Sequence, residues 1–409
     1  MPAPPFHPSH VVCVVAARPN LMKMAPILAA LRRLAPAPRL TLVHTGQHYD
    51  AAMDGQFFDA LGMAPPEHNL GVGSASHALQ TAEVMRRFEP VLDADPPDAV
   101  LVVGDVNSTL ACALVAAKKG IGLIHVEAGL RSFDRGMPEE INRILTDQLS
   151  DLLFTSEAGA RDNLLREGIG DTRIHFAGNV MIDTLHLQLP RARPLAAILA
   201  AARRPSFACL VAGARGHALL TLHRPSNVDD RTRLASLLDS AAAISLRIPL
   251  IFPLHPRTRS RLESFGLLDR LDSPRILVLP PMGYLEMLGL MKDAALVLTD
   301  SGGIQEESTA LGLPCLTLRD NTERPITVSE GSNTLAGHDP QRILALAGAI
   351  LDGGGKRGRL PPFWDGHAAG RIAPVVGAWL RQRQAGPEGQ GGQEGPELRP
   401  ARIEESKHA

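Results

Sequence analysis

Short apolar runs rich in β-branched residues recur along this chain, each followed by a longer Ala- and Leu-rich stretch. In the first half the runs are "VVCVVAA" (11–17), "LTLVHTG" (40–46), "AVLVVGD" (99–105), "GLIHVEAG" (122–129), "LLFTSE" (152–157) and "IHFAGN" (174–179). In the second half they are "ALLTLHRPSN" (218–227), "PLIFPLHP" (249–256), "RILVLPP" (275–281), "ALVLTDSGG" (295–303) and "PCLTLRDN" (314–321). Runs apolar on both faces suit strands of a parallel sheet covered by helices on either side. The stretches "KMAPILAALRRLA" (23–35) and "STLACALVAAKKG" (108–120) read as two of those helices. Ser108 is placed to cap the second and Gly120 to end it. The fold class is therefore α/β, in two units joined near 180–217, with a helix expected over 191–204. From about residue 385 the chain turns Gly-, Pro-, Glu- and Gln-rich, a composition that predicts disorder.

Composition narrows the function. Lys and Arg number 42 and Asp and Glu 43, which leaves no chain-wide basic field for nucleic acid. No run reaches the length of a membrane span, and the first ten residues lack the basic and apolar regions of a signal peptide. The four cysteines are scattered without a CxxC, so reduced thiols in a cytoplasmic protein are expected.

Many strands end abruptly in polar or charged residues, and ligands of open parallel sheets sit beyond those ends. In "DSGGIQEES" (300–308) a strand runs through a Gly turn into a helix expected near Ile304. Free N–H groups at such a helix start bind phosphate, with Ser301 as a further donor, although an ordinary capped turn reads the same way. Glu306 and Glu307 fall in what is expected to be the first helical turn, where the dipole favours them or a ribose diol uses them. Arg18 stands at a strand end before Pro19, which is expected to force a turn, and Lys23 follows; two cations there suit a diphosphate. Asp105, Glu127 and Glu139 are carboxylates at or just after strand ends. Taken singly they read as an Asx turn, a strand end and a helix-start acid that can pair with Arg143. Three acids around one cleft point instead to proton transfer, with pKa values raised by crowding or burial. His223–Arg224 is a candidate charge stabiliser beside the phosphate turn, and Arg324 a further phosphate or sugar contact.

Other chemistries lack their signatures. There is no GxxxxGK[ST], "GVGSAS" (71–76) fails the dinucleotide fingerprint, and the HxE formed by His125 and Glu127 is not followed by PCxxC. No spacing suggests a metal site.

The ordered set "ARPNLMKMAPI", "TGQHYD", "GDVNSTLA", "HVEAGLRSFDRGMPEEINR", "GNVMIDTL", "TLHRPSN", "DSGGIQEES" and "RDNTERP" resembles the non-hydrolysing UDP-N-acetylglucosamine 2-epimerases over about residues 11–345. The resemblance implies a GT-B-like pair of Rossmann-like domains with an interdomain cleft, divided 1–180 and 181–365, followed by a helix at 366–384 packing back on the first domain. It implies interconversion of UDP-GlcNAc and UDP-ManNAc without metal or other cofactor, in a protein that is commonly a homodimer. By motif, Asp105, Glu127, Glu139 and His223 correspond to catalytic positions. Arg18, Lys23, Arg143, Ser301, Gly302, Glu307 and Arg324 correspond to positions that bind UDP or the sugar. Asn20 and Pro225–Ser226 depart from the family's usual residues. So does "QHY" (47–49), where members activated by a second substrate molecule carry Gln-His-Arg; weak or absent activation is expected.

Overall fold

A computed structural model describes residues 8–46, 58, 61–214 and 216–385. The Gln47–Tyr49 stretch and the expected disordered tail, from 386 onward, lie outside them.

The first seven strands are β1 (His10–Val15), β2 (Arg39–His44), β3 (His68–Asn69), β4 (Ala99–Val103), β5 (Gly122–Ala128), β6 (Leu152–Thr155) and β7 (Ile174–Phe176). They form one sheet in the order β3-β2-β1-β4-β5-β6-β7, every pair parallel. The next six, β8 (His217–Thr221), β9 (Leu250–Pro253), β10 (Ile276–Leu279), β11 (Ala294–Thr299), β12 (Cys315–Thr317) and β13 (Asn333–Leu335), form a second all-parallel sheet, β10-β9-β8-β11-β12-β13. These are two Rossmann-like domains in a GT-B-like arrangement. Strand order reverses between β1 and β4 in one sheet and between β8 and β11 in the other, the places where open parallel sheets leave a crevice.

Both faces of each sheet are buried. Val11, Cys13 and Val15 face one core while Val12 and Val14 face another; in the second sheet Leu220 and Leu222 face one core and Leu219 the other. This is why the strands read as continuous apolar runs.

Several local expectations shift. The first helix runs Arg18–Leu31, with Pro19 inside its first turn, where a missing N–H costs nothing. Asn20 explains the early start: its side chain accepts from Ala17 N (3.1 Å) and donates to Val103 O (2.9 Å), tying the helix start to β4. Ser108 is not a cap. The helix Asn107–Lys118 has Val106 at its N-cap, and the buried Ser108 hydroxyl meets Thr45 Oγ1 at 2.8 Å. Gly120, at φ 68°, ends that helix as expected. The connection near 180–217 begins with a helix at Val180–Gln188; the helix expected over 191–204 is shorter, Leu195–Ala201, and another follows at Pro205–Gly213.

That earlier helix touches both domains. Thr184 Oγ1 donates to Met22 O (2.5 Å), and Asn179, its N-cap, donates to Glu306 Oε1 (3.0 Å). Asp183 accepts from the N–H groups of Ala368 and Ala369, at 3.0 and 2.8 Å, capping the helix Ala368–Ala385. Ala369, Ile372, Val376 and Leu380 of that last helix pack into the core of the first domain.

Candidate active site

The carboxyl ends of β1, β4, β8 and β11 face one interdomain cavity of about 360 Å³. From the first domain it is lined by Asn20, Lys23, Asp105, Glu139 and Arg143; from the second by His223, Arg224, Ser301, Gly302, Gly303, Glu306, Glu307, Glu323 and Arg324. Five methionines, Met22, Met137, Met181, Met287 and Met291, supply much of its apolar wall.

Asp105 follows Gly104, whose φ of 69° turns the chain at the end of β4. Its backbone carbonyl accepts from Asn142 Nδ2 (2.9 Å), and its Oδ2 accepts from Arg143 Nη1 (2.5 Å). His125 braces the same turn from below. Its fully buried ring faces Gly104 O at 2.9 Å and Asp147 Oδ1 at 2.7 Å, the structural role of an HxE histidine that has no zinc partners in sequence. Arg143 also holds Glu140, with Nη2 at 2.6 Å, so its ion pairs run to Asp105 and to the i,i+3 neighbour Glu140 rather than to Glu139. Glu140 in turn accepts from the N–H groups of Ser132 and Phe133, both at 2.9 Å. Of the two glutamates that begin the helix Pro138–Leu149, Glu140 is thus committed to the loop and Glu139 is the one on the cavity wall.

Glu127 is placed differently from the expected rim of acids. It sits in a bulge where the β5–β6 register shifts, at φ 74°, a conformation costing a non-glycine residue about 1–3 kcal/mol. It is buried and pairs with two cavity residues, Lys23 and, across the domain boundary, Arg324 Nη2 at 2.5 Å. Burial pushes its carboxyl up, but Arg324 and Lys23 together outweigh this and hold it down to about 2. Crowding therefore does not raise this carboxyl, contrary to the expectation for acids in the cleft, because the neighbours are cations.

In the second domain the helix Gly302–Ala310 begins at the cavity with Ser301 as N-cap, and the Ser301 side chain makes no cap bond. The helix starts two residues earlier than expected, so Glu306 and Glu307 lie beyond its first turn and are not there to complement the dipole. Both are buried. Burial pushes Glu307 up to about 7, although Tyr284 donates to its Oε1 at 2.8 Å. Burial also raises Glu306, which accepts from Asn179 and pairs with Arg324 Nε at 2.7 Å.

His223, partly exposed at the end of β8, has its Nδ1 3.0 Å from Asp300 Oδ1 and its ring centroid 5.5 Å from that of His255. Arg18 is exposed at the first residue of its helix, beside the cavity residues Ala17 and Pro19. It is near enough to the second domain that its charge helps depress the His255 pKa, after burial, His223 and Arg257. Arg224, read from sequence together with His223, lines the cavity, whereas Glu323 and the methionine wall carry no such reading. Arg224 directly follows His223, and Glu323 directly precedes Arg324. The methionines carry no local signal, since each reads as a core residue.

A sequence profile of the UDP-N-acetylglucosamine 2-epimerases matches residues 32–377. A UDP-N-acetylglucosamine 2-epimerase of Methanococcus maripaludis is 42% identical over 366 residues, spanning 89% of this chain and 97% of that protein. A UDP-2,3-diacetamido-2,3-dideoxy-D-glucuronate 2-epimerase of Pseudomonas aeruginosa is 39% identical over 373 residues, spanning 90% and 99%. Among solved structures, the Methanocaldococcus jannaschii UDP-GlcNAc 2-epimerase in complex with UDP-GlcNAc and UDP superposes with a TM-score of 0.80 at 41% identity, covering 90% of this chain and 99% of that one. With a match of this extent, running through both domains and the cavity between them, the chain belongs to the UDP-N-acetylglucosamine 2-epimerase family.

Proposed function

We propose that this protein interconverts UDP-GlcNAc and UDP-ManNAc by eliminating and re-adding UDP, releasing no free sugar. The observation that carries the reading is the single cavity in which Asp105 and Glu139, with Glu127 behind them, face the open helix start at Gly302 among Lys23, Arg143, His223 and Arg324. The C2 hydrogen of the sugar is too weakly acidic for simple removal and return. Elimination solves this. A carboxylate takes the C2 proton, the C1–O bond breaks with its electron pair passing to the diphosphate, and 2-acetamidoglucal forms. A proton delivered to the other face of C2, with the diphosphate oxygen returning to C1, gives the epimer. Carboxylates on the first-domain side serve the proton steps. The cations and the helix N-terminus hold UDP while it is detached.

Incubation with UDP-GlcNAc alone in D2O tests this. UDP-ManNAc carrying deuterium at C2 is expected, with the recovered UDP-GlcNAc also labelled. Free ManNAc and UDP as the products would indicate a hydrolysing epimerase, and no reaction without an acceptor would indicate a glycosyltransferase.

The cradle at Gly302 gives a second prediction. A Cβ there would lie 2.8 Å from Glu323 Oε1, and Glu323 is pinned by Arg224 (3.0 Å) and Arg319 (2.9 Å). Gly302→Ala is expected to weaken UDP binding by about tenfold, roughly 1.4 kcal/mol. Calorimetric titration checks this, with the unfolding temperature little changed.

A further inference from the structure

We propose that Asp300 is the positioning residue for His223: it fixes which ring nitrogen carries the proton, and Asn227 and His338 hold it in place. The proposal rests on the reading of His223 as a group that meets the departing diphosphate.

Asp300 follows β11 and is fully buried. Its carboxylate is surrounded by donors. It accepts from His223 N (3.1 and 3.0 Å to its two oxygens), Arg224 N (3.0 Å) and Asn227 Nδ2 (3.1 Å), and its Oδ1 faces His223 Nδ1 at 3.0 Å. Burial alone would raise its pKa, but the bonds from His223 and the two backbone N–H groups bring it below the ordinary range, so the carboxylate is charged. A charged carboxylate can only accept, so His223 Nδ1 carries a proton and Nε2 is the nitrogen left for the cavity.

The support extends three residues further. Asn227 Nδ2 donates both to Asp300 and to Leu318 O (2.9 Å), two acceptors that fix the orientation of its amide. Asn227 Oδ1 must then accept, and it does so from His338 Nε2 at 2.8 Å. His338 Nδ1 lies 3.1 Å from Asp320 Oδ2. The segment following β8 thus surrounds the Asp300 oxygens, and the segments following β12 and β13 hold its Asn227. Other charged or titratable groups near His223 are His255, Arg224 and, around His255, Arg257 and Arg18. None of these accepts from Nδ1.

When the C1–O bond breaks, negative charge builds on the diphosphate. A His223 ring protonated on both nitrogens donates to it from Nε2, and Asp300 stabilises that imidazolium at Nδ1. Asp300→Asn preserves shape but changes this logic. Its carbonyl can serve the backbone N–H groups and Asn227, which leaves its NH2 facing Nδ1. The ring must then accept at Nδ1 and become neutral with its proton on Nε2.

The test uses the full-length protein in three forms: Asp300→Asn, His223→Gln and the double variant. Asp300→Asn is expected to lower kcat for UDP-GlcNAc about 10²-fold with KM within about threefold. It should cost little further in the His223→Gln background, because it acts through that ring. Nitrogen-15 NMR of labelled histidines, with UDP bound, should show His223 Nδ1 protonated in the native protein and unprotonated in the variant. Losses that multiply in the double variant, or an Nδ1 that stays protonated in Asp300→Asn, overturn the proposal. If Asp300→Asn does not fold, Asn227→Ser, which leaves the carboxylate intact, should show a smaller kcat loss that also vanishes in the His223→Gln background; an additive loss counts against the proposal. If the native protein does not act on UDP-GlcNAc, the functional reading fails, and the tautomer of His223 still decides this one.

Discussion

Glu127→Gln is expected to lower kcat for UDP-GlcNAc by about 10³-fold or more while leaving UDP affinity within about threefold. The substitution keeps the volume of a side chain that is buried at a positive φ, so the bulge in β5 has no steric reason to change. It removes the charge that Lys23 and Arg324 now share. In the proposed reaction those two cations also meet the diphosphate, which would link proton transfer to cleavage. While both stay on Glu127, the carboxyl is held at about 2 and is a poor base. On that proposal, charge developing on the departing diphosphate would draw them away, burial would dominate and Glu127 would become more willing to take a proton. Loss of C2 deuteration with UDP binding intact is the expected pattern. If Glu127 instead only anchored the two cations, UDP binding would change along with turnover. A near-native kcat would remove Glu127 from the chemistry altogether.

How far the sequence anticipates the molecule depends on the range of the interaction. The long strands were legible because a doubly covered parallel sheet needs continuous apolar runs, and "VVCVVAA" and "AVLVVGD" are such runs. β3 and β13 were not legible, because two- and three-residue edge strands such as "HN" and "NTL" carry no pattern. Ser108 looked like a cap because caps are recognised by residue type, whereas its hydroxyl is used by Thr45, 63 positions away. The same divide runs through the site. Asp105, Glu139, His223 and Ser301–Gly302 stand at strand ends or helix starts, features written locally, and they do line one cavity. That Glu127 would lie beneath the cavity, paired with a residue 197 positions away, is a consequence of docking one sheet against another. No local motif carries it. The fixed orientation of Asn227 is of the same kind, since it requires β11 and β12 to be adjacent.

That docking contact sets the other large effect. Arg324→Met is expected to destabilise the protein by about 3–5 kcal/mol near neutral pH, the usual consequence of leaving buried charge without its partner. Arg324 is buried between Glu127 (2.5 Å) and Glu306 (2.7 Å), with Glu323 also contributing to its charged state. Methionine fills similar space and leaves Glu127 with Lys23 as its one remaining ion-pair partner and Glu306 with only the Asn179 amide. The pH dependence identifies the cause. In the native protein Glu127 titrates near 2, below its ordinary value of 4.5, so its contribution to stability is present above about pH 4.5 and is lost as pH falls toward 2. Without Arg324, burial has less charge opposing it and the Glu127 pKa rises, as it already does at Glu306. A buried carboxyl with a raised pKa loses stability as pH rises through that value. The gap between native protein and variant should therefore be widest at pH 8 and narrow toward pH 5, read from urea unfolding at each pH. A gap that is constant with pH would mean that Arg324 contributes packing rather than charge. The same variant should bind UDP about 10- to 100-fold more weakly, the range for losing a charged hydrogen bond to phosphate. If UDP affinity is unchanged while stability falls, Arg324 joins the domains but does not hold the nucleotide.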